Sequence, residues 1–64
     1  MPRKIRQLIK DLEKAGFVNR GGKGAHRNYM NEQGIVCTIS GNLGEDAKPY
    51  QEKMVKQKIK EVQQ

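Results

Sequence analysis

In the first quarter of the chain the apolar residues Ile5, Leu8, Ile9, Leu12 and Ala15 recur at steps of three and four, which places them on one face of an α-helix. The predicted helix covers residues 3–15. Pro2 suits its first turn, and Gly16 stands where a helix commonly ends in a left-handed residue. Arg3, Lys10 and Lys14 fall on the opposite side and read as a solvated face.

The period then shortens. Phe17–Arg20, Ala25–Met30 and Ile35–Ser40 read as three extended stretches, the last rich in β-branched residues. The first breaks at Gly21-Gly22-Lys23-Gly24. Asn31-Glu32-Gln33-Gly34 separates the other two and signals a hairpin. Gly41–Lys48 reads as a loop with the acidic pair Glu45-Asp46. Pro49 opens a second helix to about Val62, and Asp46 is its expected cap. Val55, Ile59 and Val62 form that helix's expected buried stripe, with Tyr50 and Met54 on its flank and Lys53, Lys56 and Lys60 opposite. The fold class is therefore α+β, in the order α-β-β-β-α. The simplest packing sets both helices on one face of a three-stranded antiparallel sheet and leaves the other face open.

Sixty-four residues predict one domain, 1–64, with a thin core. Only 34% of them are hydrophobic, there is no Trp, and Phe17, Tyr29 and Tyr50 are the only aromatics. That composition argues against a large buried substrate cavity and for an open site suited to a polymer. The formal charge of +6, from 13 Lys/Arg against 7 Asp/Glu, attracts polyanions. No membrane partner is expected, because runs such as Ile35-Val36-Cys37 are far too short to span a bilayer. Met1-Pro2-Arg3-Lys4 leads straight into the amphipathic pattern instead of a signal peptide. Cys37 stands alone, so no internal disulfide forms and a reducing cytoplasm is the expected setting. One Cys and one His make no set of zinc ligands, and no metal or other cofactor is expected. Cys37 itself reads as a small core hydrophobe.

Arg20-Gly21-Gly22-Lys23-Gly24-Ala25-His26-Arg27-Asn28-Tyr29 carries the candidate chemistry. Its three glycines let the backbone turn tightly and bring N–H groups close to a ligand. Arg20, Lys23 and Arg27 suit a site that holds phosphate. With Tyr29 pointing into the core, strand alternation sends His26 to the open face beside Asn28. An imidazole takes and returns protons near neutral pH. Cutting RNA without a metal needs that function, for the 2′-hydroxyl and for the leaving 5′-oxygen, together with cations at the phosphorus.

Leu8-Ile9-Lys10, Leu12-Glu13-Lys14 and Gly16-Phe17 resemble the first helix and turn of HicA-type toxins. Lys23-Gly24-Ala25-His26-Arg27-Asn28-Tyr29 is similar to that family's signature of Gly, a small residue, His, and an aromatic three positions on. Thr38-Ile39-Ser40-Gly41 and Lys48-Pro49-Tyr50-Gln51-Glu52-Lys53 resemble a variant of its C-terminal half. The resemblance implies a double-stranded-RNA-binding-domain-like fold and metal-independent mRNA cleavage. It also implies a catalytic His26 and neutralisation by a HicB-type antitoxin that shields it. On this reading Arg20, Lys23, Gly24 and Arg27 bind RNA, and the free toxin is expected to be monomeric. Ala25 departs from a frequent Ser, and Cys37 from an aliphatic residue.

A non-catalytic RNA-binding module is the alternative reading. The helix opening is acidic at Glu45-Asp46, unlike the Lys-rich opening that double-stranded-RNA binders present to phosphates. A DNA-binding or purely protein-binding domain ranks below it, since more than thirty residues separate the helices and no helix-turn-helix spacing is evident.

Overall fold

The computed structural model describes residues 3–62 and runs α1 (Ile5–Lys14), β1 (Val18–Asn19), β2 (His26–Met30), β3 (Val36–Ser40) and α2 (Pro49–Val62). This is the expected α-β-β-β-α order, with a three-stranded antiparallel sheet ordered β1-β2-β3. The thinnest extent is 17 Å, which leaves room for two layers, helices on one sheet face. Among the described residues no helix is long and apolar enough to cross a membrane.

Helix α1 buries Ile5, Leu8, Ile9 and Leu12, as its period requires. It begins two residues later than expected because Arg3 and Lys4 run extended against the 41–48 loop. Ala47 N donates to the Arg3 carbonyl at 2.6 Å, and Lys4 pairs with Asp46 in an isolated bridge. The loop also caps the helix, accepting from Ile5 N at Glu45 O (2.9 Å) and from Arg6 N at Leu43 O (3.2 Å). A distant segment thus satisfies donors that a helix start otherwise leaves unpaired. Pro2 lies outside the described residues. At the other end Gly16 adopts φ +94°. Gly16 N donates to Glu13 O and Phe17 N to Leu12 O, a Schellman motif whose apolar contact is the buried pair Leu12 and Phe17.

The turn between β2 and β3 forms where its Asn and Gly predict. Asn31 N donates to Ile35 O, Gly34 sits at φ +82°, and the Asn31 Oδ1 accepts from Gln33 N and Ile35 N. This fixes the register His26↔Ser40, Asn28↔Thr38 and Met30↔Val36 on one face. Tyr29, Cys37 and Ile39 point the other way and pack with Phe17, Ala47, Val55 and the α1 stripe. Strand β1 is two residues long where four were expected. Its pairing still runs on, since Arg20 N donates to Asn28 O (2.7 Å) and Asn28 N to Gly21 O (2.8 Å). Arg20 and Gly21 therefore oppose one residue, a bulge that ends the regular ladder.

Helix α2 has the predicted bounds but neither the predicted cap nor the full predicted stripe. Lys48 occupies the cap position and donates its N–H to the Gln51 Oε1 at 2.8 Å. Asp46 lies too far upstream and accepts from Lys4 Nζ instead (2.6 Å). Val55 is fully buried, whereas Ile59 and Val62 are half-buried and Tyr50 is 57% exposed. A 14-residue helix is about 21 Å long, against about 17 Å for a five-residue strand, so its last turns are only partly covered. The second buried position on α2 belongs to a polar residue, Gln51, whose Nε2 donates to Ser40 O at 2.9 Å.

Candidate functional site

Strand alternation leaves the sheet face away from the helices uncovered. His26, Asn28 and Met30 of β2 stand on it beside Val36, Thr38 and Ser40 of β3 and Val18 of β1. Asn31↔Ile35 and Ala25↔Gly41 are hydrogen-bonded pairs (Asn31 N to Ile35 O, Gly41 N to Ala25 O). The open-face pairs between them are consequently of the non-hydrogen-bonded kind, where side chains approach most closely. Thr38 Oγ1 donates to the Asn28 Oδ1 at 2.8 Å, and Ser40 stands directly across from His26.

His26 opens β2 immediately after the glycine turn. The turn is closed by His26 N donating to Lys23 O (2.9 Å) and is pinned at its start by Gly21 N on the Asn19 Oδ1 (2.8 Å). Gly22 is the tightest position. A Cβ there would lie 2.0 Å from the His26 carbonyl oxygen and 2.8 Å from its carbonyl carbon. Only glycine lets this turn fold back onto the His26 backbone. Gly24 has a different reason, φ +57° with open space around it. Among the described residues the N–H groups of Gly22, Lys23 and Gly24 have no acceptor, a run of three successive backbone donors.

Of the residues singled out in the sequence, the fold gathers His26, Lys23, Gly24 and Arg20 around this turn. Arg20 and Lys23 are exposed, and the bulge sets Arg20 across from Asn28, two residues from His26 along β2. Arg27 stands apart. Alternation puts it on the face opposite His26, where it is half-buried and its Nη1 donates to Gly41 O (2.8 Å) and Ala25 O (3.4 Å). With Gln51 on Ser40 O, it fixes the strand end that faces His26. Ser40 and Gly22 were not singled out by sequence reading. Counting outward from a four-residue loop at Asn31–Gly34 would have set His26 against Ile39; the turn closes one residue tighter, on the Asn31–Ile35 pair, and that brings Ser40 opposite His26. Nothing local marks Gly22 off from its neighbouring glycines.

The shifted titrations lie away from the open face. Burial pushes the Cys37 thiol up, and burial with the nearby Glu13 charge pushes the Tyr29 hydroxyl up. A hydrogen bond to Asp11 (2.5 Å) raises Arg3. Cys37 is thus a neutral thiol within the core and no nucleophile. Among the described residues no three His, Cys, Asp or Glu side chains come together as a metal site. What the open face offers is one imidazole, two exposed cations, a run of backbone donors, and hydroxyl and amide groups beside them.

A search of curated proteins finds no match to this chain. The family model described as HicA toxin of bacterial toxin-antitoxin matches residues 5–63. That span takes in both helices, all three strands and the glycine turn with His26. The chain belongs to the HicA toxin family.

Proposed function

We propose that this toxin is a metal-independent endoribonuclease that cuts mRNA with His26 and is neutralised by a HicB-type antitoxin. The observation that carries the reading is the seat of His26: exposed, on the open sheet face, and locked to the glycine turn through the approach of Gly22 to its carbonyl. RNA lies over the His26 end of that face. Its scissile phosphate is held by Arg20, Lys23 and the successive N–H groups of Gly22–Gly24, donors of the kind that bind anions. The 2′-hydroxyl attacks the adjacent phosphorus and the 5′-oxygen leaves, giving 2′,3′-cyclic phosphate and 5′-hydroxyl ends. His26 is the proton-transfer group of that exchange. Arg27, named from the sequence as an RNA contact, supports the site from behind instead, through the Gly41 and Ala25 carbonyls.

Inducible expression in bacteria tests this. Wild type should arrest growth and fragment mRNA, and His26→Ala, folded, should do neither. RNA binding without fragmentation by the wild type would identify a non-catalytic RNA-binding module instead.

A further inference from the structure

The open sheet face has a second end. Four residues along β2 from His26, about 13 Å by strand rise, Met30 stands between Val18 of β1 and Val36 of β3 in one cross-strand row. Val18 is 57% exposed and Val36 46%, with Met30 half-buried between them. The core does not use these three side chains, yet strands with a solvated face ordinarily carry polar residues there. A cavity of about 350 Å³ opens at the β1 end of the row, lined by Gly16, Val18, Arg20, Met30, Asn31 and Glu32.

We propose that this row is the anchoring surface for the antitoxin, which seats a bulky apolar side chain against Val18 and Met30 and sets an acidic residue against Arg20. The proposal deepens the neutralisation reading above. Its affinity readout needs no nuclease activity, so the two stand or fall separately. Three observations favour a protein occupant. The row is aliphatic, whereas single-stranded bases seek aromatic platforms. Phe17 and Tyr29 are both buried, and Tyr50 is on α2. The cavity sets an apolar pair, Val18 and Met30, beside Arg20, Asn31 and Glu32, so an apolar anchor there is ringed by polar and charged groups that can fix a partner's orientation. Finally, a net charge of +6 favours an acidic partner.

Val18→Thr, Val36→Thr and the double variant make the test, since Thr keeps the β-branched shape and both sites are solvent-facing. The probe is a purified HicB-type antitoxin that binds the wild-type toxin, titrated calorimetrically against each variant on a His26→Ala background. Cleavage of a defined RNA is measured in parallel with the native histidine. We expect antitoxin affinity to fall at least tenfold in the double variant, with cleavage rate and cleavage sites within twofold of wild type. Unchanged antitoxin affinity overturns the proposal. If it comes with altered cleavage sites, the row is an RNA subsite; if cleavage is also unchanged, the row serves neither partner.

Discussion

Gly22→Ala separates two reasons for glycine in a single turn. The new Cβ would start 2.0 Å from the His26 carbonyl oxygen, and real Cβ contacts essentially never fall below 3.0 Å. The turn or the His26 peptide must therefore move by about 1 Å, and both obstructing atoms are backbone. Three hydrogen bonds share that strain: His26 N to Lys23 O, Asn28 N to Gly21 O and Arg20 N to Asn28 O. Overpacking of this size costs about 1–3 kcal/mol. A 64-residue domain has roughly 3–10 kcal/mol in hand, so the variant should fold at low temperature with a reduced melting point. Catalysis should suffer more, because a misplacement of about 1 Å can cost on the order of 100-fold. Gly24→Ala is the control. It places a side chain at φ +57° in open space, costing about 1–2 kcal/mol and displacing nothing. Circular dichroism melts, amide spectra of the His26 region and RNA cleavage rates on both variants decide the matter. If Gly22→Ala cuts RNA at the wild-type rate with the His26 amide signal unmoved, the close approach does not position the histidine.

Three further outcomes follow from the same structure. Lys23→Gln and Arg20→Gln should each weaken RNA binding similarly for all sequences and flatten its salt dependence by about one counterion; Lys53→Gln and Lys60→Gln on α2 should do less. An RNA-binding titration in which the α2 lysines matter as much would move the RNA path to the helices. Gln51→Leu strands the Ser40 carbonyl and the Lys48 N–H, which Gln51 holds now, and should destabilise by about 1–3 kcal/mol in thermal melts. A melting point equal to wild type would show that those bonds are replaced. Burial raises Cys37 and Tyr29 in the folded state, so the unfolded chain ionises first. The stability they confer is full below about pH 9 and is lost as pH rises through their raised values. Denaturation midpoints from pH 7 to 11 should fall above pH 9, and less early in Cys37→Ala; a flat profile contradicts this.

Much of the fold was legible because its signals are local. Ile5, Leu8, Ile9 and Leu12 fix the buried face of α1, Gly16 ends it, and Asn31 and Gly34 mark the hairpin turn, although its closure on Asn31–Ile35 shifts the register by one residue from that of a four-residue loop. The parts that were not legible depend on contacts across the chain. Asp46 looks like a cap by composition, yet Lys4, 42 residues away, claims its carboxylate. Gln51 looks like a surface residue until α2 is docked and its amide reaches Ser40 O. The candidate site divides in the same way. Alternation from Tyr29 predicts the exposure of His26, but no local pattern reveals that Arg27 turns back onto Gly41 or that Gly22 touches the His26 carbonyl.

The central claim is that His26 cuts RNA by proton transfer without a metal. It is tested most directly by incubating purified wild type and His26→Ala with a defined single-stranded RNA in EDTA and mapping the product ends. Wild type should yield 2′,3′-cyclic phosphate and 5′-hydroxyl ends, and His26→Ala should be slower by about 10²–10⁴-fold while binding the RNA nearly as well. Cleavage at the wild-type rate by the folded His26→Ala protein, or wild-type activity abolished by EDTA and restored by Mg²⁺, would contradict it.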